Sequence, residues 1–295
     1  MAIKKTAARR VFVICNTLFF LVVCLLFVYP LWYVFIQSVS AGNAGNAVWL
    51  PSGGFTLTHY KNVLQMPAVA NAALISVLRT VIGTSCTVLA CMLLGYLFSK
   101  QEMPCRKFLY RMLVITMYIN AGIIPTYLTI RSYGLLNNFW VYILPGVVSA
   151  YNVILIKTYV EQLPASVEES AKLDGAGTLT IFWKIILPMS MPIVATIAIY
   201  AAVGQWNSWW DNHIYTIGNK NILTLQYMLY RYLTEVQRIV NELKEYGKFE
   251  EIAARITPRN VRMSITMVTV VPILFVYPFM QRYFIKGINI GAVKG

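Results

Sequence analysis

The chain has 295 residues, of which 58% are hydrophobic and only 12% are charged, and its formal net charge is +14. Soluble domains carry about 25% charged residues, so this composition excludes an ordinary soluble protein. The positive charge could indicate a nucleic-acid partner, but the basic residues flank apolar segments, where they meet anionic lipid. We therefore predict an integral membrane protein with lipid, and no nucleic acid, among its partners.

Six charge-free apolar segments follow one another along the chain. Each is long enough for the roughly 20 residues that one helix needs to cross a bilayer. We therefore predict an all-α polytopic protein with six transmembrane helices near 11–36, 72–98, 107–130, 140–160, 189–206 and 263–285. The first segment is longer than the core of a cleaved secretory signal and is expected to remain as an anchor.

The distribution of Lys and Arg predicts the orientation. Basic residues are concentrated in the short segments on the side of the N-terminus, so both termini are expected to be cytoplasmic. We predict two regions: 1–71, with the N-terminal tail, the first helix and an outer segment, and a core of five helices, 72–295. The core contains an inner loop, 164–188, and an outer amphipathic segment, 206–262.

The inner loop between the fourth and fifth helices carries the most specific motif of the chain. Its characteristic residues are Glu169, Ala171, Asp174, Gly175, Ile185, Leu187 and Pro188. Their spacing resembles the EAA loop of ABC importer permeases, and Ser170 replaces the usual alanine in the opening triplet. In that family a separate ATPase moves the membrane domain through this loop. The resemblance therefore implies a type I ABC importer permease fold and assigns these residues to ATPase coupling.

The coupling loop, 164–188, also predicts its own local structure. Ser166 and Glu169 fit a capping box that would begin a short helix, and Gly175 supplies the positive φ that would end it. A second short helix is expected from about Thr178 to Leu187. A purely capping role for Glu169 is the alternative, and it does not exclude coupling.

Three further segments extend the resemblance. They are the Asn71 segment at the start of the second helix, the Gln205-Trp206-Asn207 end of the fifth, and the C-terminal tail around Lys294. They resemble maltose-type carbohydrate permeases, in particular a branch importing oligosaccharides and polysaccharide fragments such as alginate. The resemblance implies a bacterial inner-membrane location. It also implies a second permease subunit, two ATPase subunits and an extracytoplasmic solute-binding protein as partners.

The resemblance gives the C-terminal tail and the outer segment roles as well. Lys294 would reach the ATPases, although an inner-face basic anchor is the alternative. The outer segment 206–262 would be a docking platform for the binding protein; a helix lying on the bilayer interface is the alternative. Both alternatives remain open at this point.

The sequence contains no constellation for bond chemistry. No G-x-x-x-x-G-K-[ST] stretch occurs in it, so the chain is expected to bind no ATP phosphates in a P-loop. ATP and Mg would be bound by the partner ATPase. We predict a non-catalytic subunit with no metal and no cofactor of its own.

Polar and aromatic residues within and at the ends of the spans are candidates for the carbohydrate pathway, because lipid does not satisfy polar groups. They are Tyr118, Asn120, Tyr151, Asn152, Gln205, Trp206 and Asn207. Hydrogen bonding between helices, and an interfacial aromatic belt, are the alternatives. Arg79 is expected to extend outward to the interface rather than to line the pathway.

Two other functions are compatible with a polytopic membrane protein. A secondary transporter normally uses intramembrane carboxylates, and the six predicted spans contain none. A membrane enzyme or structural protein would leave the motif in the coupling loop unexplained.

Overall fold

The computed structural model describes residues 7–42, 49–246 and 259–291. Within these ranges the regular structure is helical, apart from one antiparallel bridge between Ser40 and Phe55. The α-helices, numbered in chain order, are α1 Ala7–Ser38, α2 Thr58–Leu64, α3 Pro67–Ser99, α4 Arg106–Ile115, α5 Ile123–Ser132, α6 Ala150–Val160, α7 Ala165–Leu173, α8 Thr178–Ile181, α9 Leu187–Met189, α10 Met191–Asn207, α11 Trp210–Tyr215, α12 Leu225–Tyr246 and α13 Arg259–Gly291. The all-α prediction is confirmed for the described residues.

Several of the predicted spans are not single straight helices. Two helices, Ala8–Ser38 and Pro67–Ser99, are long and apolar enough to cross a membrane. Two bent pairs meet the same test when each is taken together: Phe139–Gly146 with Ala150–Val160, at 49°, and Thr178–Met189 with Met191–Asn207, at 82°. The described residues thus carry two to four candidate spans, and the predicted number of six is not confirmed.

The prediction of one continuous third helix over 107–130 is wrong. It is divided into α4 and α5 by residues 116–122. Asn120 Oδ1 accepts a hydrogen bond from the amide of Gly122 at 2.9 Å, and Gly122 has a φ of 83°. A local bond from an asparagine side chain competes with the helical backbone bonds, so the helix ends and restarts at this turn.

The fourth predicted helix is also interrupted. Two 3-10 turns, Phe139–Tyr142 and Leu144–Gly146, precede α6, and the Ser149 side chain caps α6 by accepting from the amide of Asn152. Proline at position 145 cannot donate a backbone bond. A continuous helix from 140 is therefore not formed.

The chain divides into two compact units, Met1–Met66 with Arg231–Val270, and Pro67–Tyr230 with Val271–Gly295. In the first unit, the Asn260 side chain donates to the carbonyl of Ser40 at 2.7 Å and to that of Gly42 at 3.1 Å. The hydroxyl of Ser264 donates to the carbonyl of Ser38 at 3.2 Å. These bonds hold the end of α1 to the start of α13. The predicted division at residue 71 stays a prediction.

In the second unit, α3 is the central helix and packs against both α6 and α10. Its glycines permit this close approach. A Cβ at Gly95 would lie 2.5 Å from Ile156 Cγ2 and 3.2 Å from the Lys157 backbone nitrogen, and one at Gly83 would lie 2.8 Å from the Gln205 side chain. Small residues allow helices to approach closely where the hydrophobic effect does not drive their association.

We expect Gly95→Val to lower the free energy of unfolding by about 1–3 kcal/mol, because the new side chain would overpack the contact between α3 and α6. Gly204→Ala in α10 is the matched control, since a Cβ there meets nothing within 4 Å. Thermal unfolding of the purified protein in detergent measures both changes. Equal midpoints for the two variants would contradict the packing described for Gly95.

Candidate functional site

The first helix of the coupling loop ends as the sequence predicts. Gly175 has a φ of 81°. Its amide donates to the carbonyl of Lys172 at 3.0 Å, and the amide of Ala176 donates to the carbonyl of Ala171 at 2.9 Å. These are the two bonds of a Schellman motif, in which a left-handed residue ends the helix. The chain turns sharply here because glycine adopts this conformation without strain.

The predicted capping box is wrong. Helix α7 begins at Ala165 with Pro164 at the N-cap, and no side chain caps it. Proline fixes φ near the helical value, so the chain enters the helix before Ser166. Ser166 then lies within the first turn, where its carbonyl accepts from the Ser170 hydroxyl at 2.9 Å. Glu169 is exposed and has no capping role.

Glu168, which the motif does not include, anchors the coupling loop. Its carboxylate pairs with Lys100, just beyond the end of α3, and lies 3.6 Å from Lys172 Nζ. Lys172 Nζ also lies 3.3 Å from Glu102 Oε1. The pKa of Lys172 is raised, mainly by this hydrogen bond to Glu102. Glu168 and the buried Ala171 are three residues apart and therefore share one face of α7, which is the signal that could have identified this glutamate.

The second half of the coupling loop is embedded in the protein. The predicted short helix forms from Thr178 to Met189 and includes a π-helical turn, Phe182–Ile186. Its apolar side chains join those of α3, α6 and α10 in one core of twelve buried residues: Cys91, Met92, Tyr96, Phe98, Val153, Ile156, Val160, Ala171, Ile181, Phe182, Ile186 and Ile197. The predicted coupling residues Ile185 and Leu187 pack against this core, whereas Pro188 is exposed.

The opposite surface of the loop leaves large apolar side chains uncovered. Leu173 is 89% exposed, Leu179 65% and Trp183 51%. Glu169 and Asp174 are exposed beside them. Exposed apolar residues that are rimmed by polar ones are typical of a docking surface. Lys294, the remaining predicted coupling residue, lies outside the described residues.

A cavity of about 700 Å³ lies in the second compact unit, which also contains the coupling loop. Its lining combines charged, hydroxyl, amide and aromatic groups from Arg79, Thr87, Thr126, Tyr142, Ser149, Tyr151, Asn152, Tyr200, Gln205, Ser208, Asp211 and Tyr215. Three of the predicted pathway residues, Tyr151, Asn152 and Gln205, are thus brought together. Such a lining offers donors, acceptors and ring faces to a polyhydroxylated ligand.

The other predicted pathway residues lie elsewhere. Tyr118 is 83% exposed, and it lies with Asn120 in the break between α4 and α5, away from the cavity. Asn207 is exposed at the end of α10. Trp206 lines a separate apolar recess of about 130 Å³ with Val81 and other residues. The positions of these four side chains depend on breaks and helix rotation that the sequence pattern does not specify.

The prediction that Arg79 extends outward to the interface is wrong, because this side chain is 2% exposed at the wall of the cavity. Its Nε donates to Gln205 Oε1 at 2.8 Å and its Nη1 to the Ser208 carbonyl at 3.2 Å. Its Nη2 pairs with the carboxylate of Asp211. The guanidinium also lies 4.6 Å from the centre of the Tyr142 ring. A charge in apolar surroundings is retained where it is paired, so this pairing explains the burial.

A group of buried polar side chains continues from this ion pair. Asn212 Nδ2 donates to Thr216 Oγ1 at 2.6 Å and contacts the Tyr142 hydroxyl, while Asn212 Oδ1 accepts from the amide of Thr224 at 3.0 Å. The Tyr142 hydroxyl donates to the Ile222 carbonyl at 2.7 Å. These bonds fix α11 and the segment after it beside the cavity. No group of three His, Cys, Asp or Glu side chains suited to a metal occurs in the part of the chain that the structure describes.

Comparison with known proteins gives concordant similarities. A family model described as binding-protein-dependent transport system inner membrane component matches residues 2–290. Protein LplC of Bacillus subtilis is 35% identical over 293 residues, covering 99% of this chain and 97% of that protein. The polygalacturonan/rhamnogalacturonan transport system permease protein YtcP of the same organism is 34% identical over 241 residues, covering 82% of each.

One solved structure is similar over nearly the whole chain. It is the crystal structure of a bacterial ABC transporter involved in the import of the acidic polysaccharide alginate, with a TM-score of 0.81 and 27% identity. The match covers 95% of this chain and 98% of that one. Together these similarities confirm the family resemblance that the motif of the coupling loop predicted.

We expect Arg79→Met to lower the free energy of unfolding by about 1–3 kcal/mol, because it leaves Gln205 Oε1 without its donor and the Asp211 carboxylate without its cationic partner. Asp211 is 29% exposed, so solvent limits the loss. Arg131→Met is the matched control on the exposed surface of α5, with an effect within about 0.5 kcal/mol. Denaturation in detergent measures both. An equal effect of the two substitutions would contradict the buried pairing of Arg79.

Proposed function

The chain belongs to the family of binding-protein-dependent transport system inner membrane components, and we propose that it is the permease subunit of an ATP-driven carbohydrate importer. The observation that carries the proposal is the coupling loop: one surface is embedded in the core of the subunit, and the other exposes Leu173, Leu179 and Trp183. Family membership argues against the secondary transporter and against the non-transport membrane protein.

In this proposal, Glu169, Asp174 and the exposed apolar residues of the coupling loop contact an ATPase subunit, which binds ATP and Mg. Closure of two such subunits on ATP would bring this loop and that of a second permease subunit together. The cavity would then change from inward-facing to outward-facing. Hydrolysis would restore the first state. The chain itself would bind no nucleotide and would catalyse no reaction.

The substrate is proposed to be an oligosaccharide or a polysaccharide fragment. One similar protein is named for polygalacturonan and rhamnogalacturonan, and a similar structure for alginate. The cavity supports this class of ligand, because hydroxyl and amide groups bond sugar hydroxyls and aromatic rings such as Tyr151 and Tyr200 present faces to sugar rings. Fragments of alginate, polygalacturonan or rhamnogalacturonan are therefore the first candidates.

The remaining partners follow from the same proposal. A solute-binding protein would deliver the substrate from outside, a homologous second permease would complete the cavity, and two ATPases would contact the inner face. The outer segment 206–262 would contact the binding protein. Both termini would be cytoplasmic in a bacterial inner membrane. Within this segment the start of α12 is buried, at Leu225, Tyr227, Met228 and Leu229, so the contact is assigned to residues that follow these.

The first test uses two glycines of the coupling loop. Gly175→Val places a β-branched residue at a φ of 81°, a conformation that costs about 1–2 kcal/mol. We expect lower transport and lower ATP hydrolysis stimulated by the binding protein. Gly177→Val is the matched control, because its φ is −70° and its surroundings are equally open.

Both glycine variants are measured in the complete transporter reconstituted in proteoliposomes, with alginate and polygalacturonate oligosaccharides as substrates. The yield of membrane-inserted protein should stay the same. Wild-type coupling in Gly175→Val, or an equal loss in Gly177→Val, would contradict the role of this turn.

The second test addresses orientation and the contact with the binding protein. In a background that retains Cys105 alone among the native cysteines, an impermeant thiol reagent added outside intact cells should leave Cys105 unlabelled. In a background without cysteines, Ile217→Cys and Leu233→Cys should be labelled, because both positions are exposed. Loaded binding protein should protect position 233. The reverse labelling pattern would refute the orientation, and labelling at 233 that the binding protein does not change would refute the contact.

A further inference from the structure

The coupling loop and the cavity are both attached to helix α3. Near its inner end, the side chains of Lys100 and Glu168 form an ion pair and are 22% and 13% exposed. In the N-terminal half of the same helix, Arg79 contacts Gln205, Ser208 and Asp211 at the cavity wall. Ion pairs shielded to this degree are screened less by salt than exposed ones. Two separate points along the helix therefore each hold a functional element by a charged contact.

Lys100 contacts the first half of the coupling loop directly and is connected to the second half through Tyr96. Its carboxylate partner is in α7, and its Nζ lies 4.6 Å from the centre of the Tyr96 ring. The Tyr96 ring lies in turn 5.4 Å from that of Phe182, in the π-helical turn. A cation over an aromatic face is attracted to it, more strongly when desolvated. The two halves of the loop are thus connected to one point on the chain.

Helix α3 is suited to transmit a displacement. It runs without interruption from Pro67 to Ser99, and at 1.5 Å per residue Arg79 lies about 30 Å along the axis from Ser99. Sharp bends in helices occur at internal proline, at glycine–serine pairs or at π-bulges. Pro67 at its first position is the single proline of α3. A shift of the inner end is therefore expected to appear at the cavity wall.

From these contacts we propose that Lys100 and Glu168 are positioning residues that couple movement of the loop to movement of α3, and through α3 to the cavity. The proposal rests on the proposed function, because it presupposes that an ATPase moves the loop. It assigns to Glu168 a task separate from that of Glu169. Glu168 holds the loop to its own subunit, whereas Glu169 is exposed on the surface of the loop.

Two reporters separate the steps. Leu173→Cys on the loop and Tyr200→Cys at the cavity each carry an environment-sensitive fluorophore in the complete transporter, with the native cysteines removed. ATP with vanadate traps the closed ATPase dimer, so no sugar is needed. Both reporters should respond when the pair is intact. In Glu168→Gln the loop reporter should still respond, while the response at the cavity falls by about fivefold.

Glu161→Gln is the matched control, because Glu161 is another inner-face glutamate with two ion pairs, to Arg106 at 2.9 Å and to Lys157 at 2.7 Å, and neither partner lies in the coupling loop. It should leave both responses at the wild-type level. The exchanged pair, Lys100→Glu with Glu168→Lys, should restore at least half of the cavity response and also tests the proposal if the single variant assembles poorly.

The outcomes distinguish the two proposals. A loop reporter that is silent with the pair intact would contradict ATPase coupling itself. A normal cavity response in Glu168→Gln, an equal loss in Glu161→Gln, or no recovery in the exchanged pair would overturn the role of Lys100 and Glu168 while leaving ATPase coupling in place.

Discussion

The architecture of the cavity depends on the hydrogen bonds and the ion pair of the buried Arg79 guanidinium. A charge in these apolar surroundings persists because Gln205, Ser208 and Asp211 supply acceptors around it. Those three residues lie at the end of α10, in the link that follows it and at the start of α11, so the pairing fixes both helices to α3. Next in the chain, the Trp209 ring stacks on the Tyr230 ring with ring centres 4.0 Å apart. One face of the Trp209 ring is therefore covered by another side chain of the same chain.

Much of the fold could be predicted from charge-free runs and from the motif of the coupling loop. These depend on local composition and spacing, and the Gly175 turn follows from local backbone chemistry alone. The breaks near Asn120 and Pro145 were missed, although the local signals were present, because long apolar runs were interpreted as continuous helices. The structure also begins α7 one residue before Ser166, since Pro164 determines where the helix starts.

The partners of buried charges could not be predicted in the same way. Arg79 and Asp211 are 132 residues apart in sequence, and Lys100 and Glu168 are 68 apart. No periodicity within one helix reveals such a pairing. Of the predicted pathway residues, Tyr151, Asn152 and Gln205 line the cavity because α6 and α10 present them to it, whereas Tyr118 follows the end of α4. Helix rotation and helix ends decide these outcomes.

Helix α1 has a different relation to its surroundings. None of its 18-residue apolar window is buried within the chain, and side chains such as Phe12, Phe19 and Phe27, about two turns apart, are exposed. Such a helix is selected for its affinity for a hydrocarbon medium and not for complementarity to particular neighbours. We therefore expect α1 to tolerate exchanges among Leu, Ile, Val and Phe over evolutionary time. At Gly95 in α3, by contrast, even one added carbon would meet a neighbouring backbone.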